Sequence, residues 1–398
     1  MADGRVLAGA FQGVVLDLDG VVYLGDEVVP AAPAALDQVR GLGARVAFVT
    51  NNSYRPPDLV VEKLNRLGVK AAAGEVLTSA QAAVRMLGGR EGLAGVKVLV
   101  VGGPGLRQAL EGAGARLVDG RAWRDAEIVA VGFDPDLTYA KVRDATLAIR
   151  AGARFVGSNP DTTLPTPEGF WPGAGATLAL LRASTGTRPE VAGKPERALL
   201  DTAAAAIGPG PYLMVGDRAD TDLDGAHRLG WSTALVLSGV TRLADLPDLV
   251  TAPDHLLPDV GGLLDPPGPT VRPATPAERA AAAELLGTGQ AGQGVPGELA
   301  ATGADGEATT TLVAADGDRV VGAAAVRAAG STGLLAGPVV EEGMRDRLVG
   351  TRLVMAACVQ ARAAGLARVV APAAAEPFLA RLGFRPDPAG GPDLVRGL

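Results

Sequence analysis

Three short apolar runs in this chain each stop at a residue able to do chemistry: Val14 to Leu16 at Asp17, Arg45 to Val49 at Thr50, and Tyr212 to Val215 at Gly216-Asp217. Continuous apolar runs offer water no polar face. They read as strands buried on both sides, which a parallel sheet between helical layers provides. Helical stretches fill the gaps. One runs from Ala31 to Leu42; Pro57 opens another that ends near Leu67, with Gly68 as its stop. Strand, helix, strand is the unit of a doubly wound sheet, whose ligands bind beyond the carboxyl ends of the strands. All three polar termini fall there.

The alternation continues from Ser79 to Val191, with strands at Val96 to Val101, Ile128 to Val131 and Arg154 to Val156. Spacing alone leaves open whether this is the same sheet. After Gly193 a helix is expected from about Pro195. Pro266, Pro267, Pro269, Pro273 and Pro276 make 266–276 read as a linker, with a separate module beyond it. In that module Gly287 to Gly306 reads as a long loop. Short strands at Thr309 to Val313 and Arg319 to Ala325, a helix from Met344 to Ala363, and a final strand and helix follow.

A length of 398 residues suits two or three such modules. The 37 Lys+Arg against 44 Asp+Glu give a net charge of −7, with no basic run and few aromatics (7 Phe, 4 Tyr, 3 Trp), which argues against a nucleic-acid partner. His227, His255 and Cys358 are the only residues of their types, so a site built from several His or Cys ligands is excluded, as is an intrachain disulfide. Cys358 is expected in a core. No uninterrupted apolar stretch precedes Asp17, and Val320 to Val340 is broken by Arg327, glycines and Pro338; neither a signal peptide nor a membrane span is expected, and the expected compartment is the cytoplasm.

Taken singly, the polar residues have plain readings. Asp17 and Asp19 could make a solvated turn, Asp217 and Asp222 could cap a helix, and Lys194 could sit on the surface. Together, Asp17-Leu18-Asp19-Gly20-Val21, Thr50-Asn51, Lys194 and Gly216-Asp217 with Asp222 resemble the haloacid dehalogenase superfamily of phosphohydrolases over roughly residues 8 to 262. The resemblance implies an α/β, doubly wound parallel-sheet (Rossmann-like) core made of 1–78 and 192–265. It further implies that Asp17 is the nucleophile of an aspartyl phosphate and Asp19 the general acid and base. Asp17, the Asp19 carbonyl, Asp217 and Asp222 would hold Mg²⁺, and Gly20, Thr50, Asn51, Asn52 and Lys194 would lie on the substrate phosphate. The residue types suit the task. A carboxylate attacking a phosphate dianion meets about 4 kcal/mol of repulsion per charge pair at ~4 Å and an effective dielectric of ~20, so cationic compensation is required.

Val131-Gly132-Phe133-Asp134, Ser158-Asn159-Pro160-Asp161, Pro172-Gly173-Ala174-Gly175 and Asp220-Thr221-Asp222 resemble the nitrophenylphosphatase-like branch, in which an α/β cap is inserted, here 79–191. Asn159 and Asp161 become cap-side substrate candidates, with a structural turn at Asn-Pro as the alternative, and Trp171 is expected to pack, with a gate as the alternative. A pressing cap implies a small phosphomonoester. Members of the branch act on glycerol 3-phosphate, phosphoglycolate, pyridoxal phosphate or nucleoside monophosphates; a phosphotransferase is a further alternative, and homo-oligomerisation stays open.

Residues 277–398 resemble the GCN5-related N-acetyltransferase (GNAT) fold, an α+β domain, most clearly at Phe378-Leu379-Ala380-Arg381-Leu382-Gly383-Phe384-Arg385-Pro386. The family's glycine-rich pyrophosphate loop is not kept: Arg345-Asp346-Arg347-Leu348-Val349-Gly350 retains only its last glycine. The expectation is a degenerate module with a structural or regulatory role, against an active acyl-CoA-dependent acetyltransferase. A capped phosphatase fused to such a module is similar to actinobacterial glycerol 3-phosphate phosphatases, which places glycerol 3-phosphate first among substrates.

Overall fold

A computed structural model describes residues 6–88, 91–166, 168–289, 309–389, 391 and 393–398. The chain divides into two compact units: Arg5–Thr233 with Asp259–Asp265, and Ala234–Pro258 with Pro266–Leu398. Among the described residues no helix is long and apolar enough to cross a membrane.

The first unit begins with β1 (Gly13–Leu16), a small hairpin of β2 (Tyr23–Leu24) and β3 (Glu27–Val28), α1 (Ala32–Gly41), β4 (Arg45–Thr50), α2 (Pro57–Arg66) and β5 (Val76–Thr78). It continues through α3 (Ser79–Gly88), β6 (Lys97–Val101), α4 (Pro104–Gly112), β7 (Arg116–Val118), β8 (Ile128–Val131), α5 (Tyr139–Arg150) and β9 (Arg154–Gly157). The hairpin β10 (Thr163–Thr166) and β11 (Gly169–Pro172), α6 (Ala174–Thr185), β12 (Glu190–Val191), α7 (Arg197–Ile207), β13 (Tyr212–Gly216) and α8 (Asp224–Arg228) follow. The central strands are parallel in the order β13-β1-β4-β5. Every residue of β1 is buried, as a two-sided apolar run requires. Leu16 lies opposite both Phe48 and Val215, so the three strands end together and release their polar residues at one edge.

The inserted segment is not a continuation of that sheet. It forms its own five-stranded parallel sheet, order β12-β9-β8-β6-β7. Helix α3 packs on both α4 and α7, joining Val15, Ala80, Leu106 and Leu199 into one apolar core. Trp171, expected to pack, is 40% exposed on β11 of the two-stranded hairpin.

The second unit contains the parallel pair β14 (Ser232–Val236) and β15 (His255–Leu257), then β16 (Thr270–Pro273), α9 (Arg279–Gly289), β17 (Thr309–Asp316), β18 (Arg319–Ala329) and β19 (Thr332–Val340). It closes with α10 (Val349–Ala363), β20 (Arg368–Ala371), α11 (Glu376–Leu379), β21 (Arg385–Pro386) and β22 (Leu394–Gly397). A seven-stranded mixed sheet runs β16-β17-β18-β19-β20-β22-β21, and Cys358 lies in the core beneath α10.

Three further expectations are corrected. The stretch 266–276 is not all linker: Thr270–Pro273 is a strand paired with β17. As the sheet's edge it tolerates a proline, since one side needs no ladder donor. Ala234–Pro258 packs with the C-terminal residues, where Arg352 donates to the Pro269 and Asp254 carbonyls (2.7 and 2.6 Å), Arg362 donates to those of Leu249 and Pro247, and Arg396 pairs with Asp248. The loop expected from Gly287 begins inside α9; its remainder, 290–306, lies outside the described residues. The helix expected from Met344 starts at Val349, because Leu348 holds a left-handed conformation (φ 55°) that a right-handed helix cannot contain.

Candidate active site

Lys194 follows β12 and is buried, with Nζ 2.6 Å from Asp17 Oδ1 and 2.7 Å from Asp222 Oδ1. Asp17, Asp217 and Asp222 bring one carboxylate oxygen each to within 4.8 Å of one another. Their convergence follows from strand ends meeting at one edge, and from a close turn after β13. There Gly216 is obligatory, because any Cβ would run into the Asp222 side chain. Asp222 Oδ2 also accepts the Arg218 N–H at 3.1 Å, which fixes this carboxylate on both oxygens.

Burial raises the Asp17 pKa well above the usual carboxylate range; Lys194 opposes this, while Asp222 and Asp217 reinforce it. For Lys194, burial works to lower the pKa, yet Asp17 and Asp222 together raise it, so the ammonium is held charged. Three carboxylates against one lysine leave the cluster net negative. That hard-oxygen, anionic donor set fits a divalent cation such as Mg²⁺.

Asp19 is exposed, two residues beyond Asp17, and among the described contacts no hydrogen bond or ion pair holds its carboxylate. The surrounding protein raises its pKa, opposed by the charges of Lys63, Lys194 and Arg55. Gly20 at φ 81° reverses the chain, and its N–H donates to the Tyr23 carbonyl (2.8 Å), setting the β2–β3 hairpin beside Asp19. Lys63, buried on α2, donates to the Gly25 carbonyl at 2.6 Å and stands 3.7 Å from the Tyr23 ring centroid, tying the hairpin to the helix.

Thr50 is buried and its Oγ1 accepts the Asn52 N–H (3.1 Å); Asn52 Oδ1 accepts the Tyr54 N–H (2.9 Å). Asn51 lies where the inserted segment meets the first sheet. Its Oδ1 accepts the Lys194 N–H (2.8 Å), and its Nδ2 donates to the Lys194 carbonyl (3.0 Å) and to Asp161 Oδ2 (3.1 Å). Asn159, buried, donates to the Asn51 carbonyl (2.7 Å) and accepts the Asp161 N–H (3.1 Å). The two asparagine side chains, expected on substrate, are therefore engaged with the protein. Burial raises the pKa of Asp161, against the Asn51 hydrogen bond and the charges of Arg218 and Lys194.

The structure thus brings Asp17, Asp217, Asp222 and Lys194 into one cluster, with Asp19 and Gly20 following Asp17 on the same turn. It ties Asn51, Asn159 and Asp161 into a second group that shares Lys194. Sequence reasoning missed Lys63, Arg218, Ser79 and the Ser53–Ser158 pair. Lys63 had a signal, being one of five lysines in an arginine-rich chain, and Ser158 stood in the Ser158-Asn159-Pro160-Asp161 motif without a role; Ser53 and Ser79 had none.

Residues 14–116 match the haloacid dehalogenase-like hydrolase family, and 191–263 a second HAD-hydrolase-like family model. An acid sugar phosphatase of Staphylococcus haemolyticus is 36% identical over 252 residues, 63% of this chain and 94% of that protein. The chain belongs to the haloacid dehalogenase-like hydrolases. It is a phosphoric monoester hydrolase. The D-glycerol 3-phosphate phosphatase of Mycobacterium tuberculosis is 41% identical over 243 residues, 61% of this chain and 67% of that protein. The crystal structure of the glycerol phosphate phosphatase from that organism in complex with magnesium is similar at a TM-score of 0.69 and 30% identity, covering 94% of this chain and 98% of the other. Residues 291–384 match the acetyltransferase (GNAT) family. Leu348, at the N-cap of α10, holds a left-handed conformation (φ 55°) that ordinarily favours glycine.

Proposed function

We propose that this hydrolase is a Mg²⁺-dependent glycerol 3-phosphate phosphatase. The observation that carries this reading is the similarity across nearly the whole of both chains to a glycerol phosphate phosphatase solved with magnesium, C-terminal unit included. In this reading Asp17, the Asp19 carbonyl, Asp217 and Asp222 hold the cation, which supplies counter-charge to the phosphoryl oxygens. Asp17 attacks phosphorus and forms an aspartyl phosphate, dividing one displacement into two easier ones. Asp19, whose carboxyl is raised and unengaged, protonates the leaving alcohol oxygen and then takes a proton from the water that cleaves the intermediate. Lys194 and the Thr50–Asn52 turn hold the phosphate, and the 79–191 segment serves as the cap that excludes water and bulky esters.

A second reading is supported by the acid sugar phosphatases, 34–36% identical over 252 residues. Phosphate release from glycerol 3-phosphate, sugar phosphates, phosphoglycolate, pyridoxal phosphate and nucleoside monophosphates, each with and without Mg²⁺, decides between them. The highest kcat/KM on glycerol 3-phosphate, abolished by EDTA, is expected. A sugar phosphate preferred by tenfold or more on the same measure would transfer the assignment. Phosphate passed to an alcohol with no free phosphate would favour a phosphotransferase.

A further inference from the structure

We infer that Asn51 is a positioning residue that transmits the placement of the cap to Lys194, and that Asp161 acts on the reaction through it. The inference rests on the hydrolase reading of the site and on Lys194 as its phosphate-binding cation. One side chain grips Lys194 from both sides of its backbone, accepting its N–H at 2.8 Å and donating to its carbonyl at 3.0 Å. The remaining Nδ2 hydrogen goes to Asp161 Oδ2, on the cap, at 3.1 Å. A primary amide has two N–H donors, so both are committed, one to the core and one to the cap.

The Asn51 main chain is held by 79–191 as well. Its carbonyl accepts Ser79 Oγ (2.6 Å), at the start of α3, and Asn159 Nδ2 (2.7 Å), from the loop after β9. Beside it Ser53 Oγ and Ser158 Oγ are 2.9 Å apart, a second polar link between core and cap. The approach is close enough to demand glycine at 193, where a Cβ would lie 2.6 Å from Asn51 Oδ1 and 2.7 Å from the Ser158 carbonyl. A cap that moves away takes Asp161 and Asn159 with it. Asn51 is then free to turn, and the backbone carrying Lys194 loses its only side-chain grip among the described hydrogen bonds. Closure of the cap therefore completes the phosphate site as well as covering it.

The test uses the full chain with Mg²⁺, p-nitrophenyl phosphate as substrate and inorganic phosphate as competitive probe of the Lys194 site. Asn51→Ala is expected to lower kcat by about 10- to 100-fold, the scale of a ~1 Å misplacement, and to weaken inhibition by inorganic phosphate. Asp161→Ala is expected to lower kcat in the same direction, while Asp161→Asn, which still offers an oxygen to Asn51 Nδ2, keeps most of it. The double variant Asn51→Ala with Asp161→Ala should be no slower than Asn51→Ala alone, because both changes break one linkage. Penalties that multiply, or an Asp161→Asn as slow as Asp161→Ala, overturn the inference, as does an Asn51→Ala enzyme with wild-type kcat and phosphate inhibition. If Asn51→Ala does not fold by thermal unfolding, the Asp161 pair decides alone. A wild-type protein inactive on every phosphomonoester would instead end the hydrolase reading itself, and this inference with it.

Discussion

Replacing Lys194 with Met should destabilise the metal-free protein severely and the Mg²⁺-loaded protein much less. The wild-type ammonium touches two carboxylates, Asp17 at 2.6 Å and Asp222 at 2.7 Å, and lies buried with them. Each such pair is worth about 4 kcal/mol in gross Coulomb energy at ~4 Å charge separation and an effective dielectric of ~20. Part of that is offset by the desolvation of the lysine, so the net cost of removing one partner from a buried ion pair is about 3–5 kcal/mol. For a unit of this size each kcal/mol shifts Tm by about 2–4 °C, so a fall on the order of 10 °C is expected in EDTA. Excess Mg²⁺ supplies charge to the same carboxylates and binds only the folded chain, so it should restore most of the loss. Thermal unfolding of wild type and Lys194→Met at pH 7.5, in EDTA and in millimolar Mg²⁺, reads all four values. A variant within about 2 °C of wild type in EDTA would refute the reasoning, since it would mean that the carboxylates do not need the ammonium. Equal losses with and without Mg²⁺ would remove the cation from this cluster.

Asp17→Asn, nearly isosteric but a poor nucleophile, should abolish turnover; retention of more than about a tenth of the wild-type rate would rule out the covalent route. Arg352→Met should lower the stability of the C-terminal unit by about 1–3 kcal/mol, because the buried Pro269 carbonyl is left without its donor; an unchanged urea midpoint would contradict this. His255 is pushed down to about 4, first by burial and then by the neighbouring Arg352 charge. The unfolded chain takes a proton near pH 6.5 that the native state refuses, so the stability present above pH 6.5 should fall by up to about 3 kcal/mol as pH drops toward 4. His255→Gln should flatten that stretch of the stability–pH curve, and a curve of unchanged slope would count against the assignment.

The carboxylate cluster of the candidate site was legible in the sequence because each part of it is local. An apolar run ending in Asp17, and another ending in Gly216-Asp217, state both the strand and the group at its tip, and a parallel sheet leaves few places for those tips to go. The same reasoning put Lys194 with them, through the order of the motifs. It did not reach the partners of Asn51. Its side-chain hydrogen bonds join positions more than a hundred residues apart, and a two-residue polar segment such as Thr50-Asn51 reads alike whether its amide faces phosphate or a backbone. Nor could local composition tell that Thr270–Pro273 is a strand, since an edge strand accepts proline only by virtue of its neighbour.

The sequence by itself determined the sheet class, the carboxylates and the lysine, since burial on two faces and the charge demanded by a phosphate dianion are constraints on residue type. The tertiary structure alone decided that 79–191 makes a separate sheet, that Ala234–Pro258 packs with the C-terminal residues, and that the Asn51 side chain bonds to both Lys194 and Asp161. Those are matters of which distant surfaces meet, and hydrogen-bond geometry across such a meeting leaves no periodic trace in the chain.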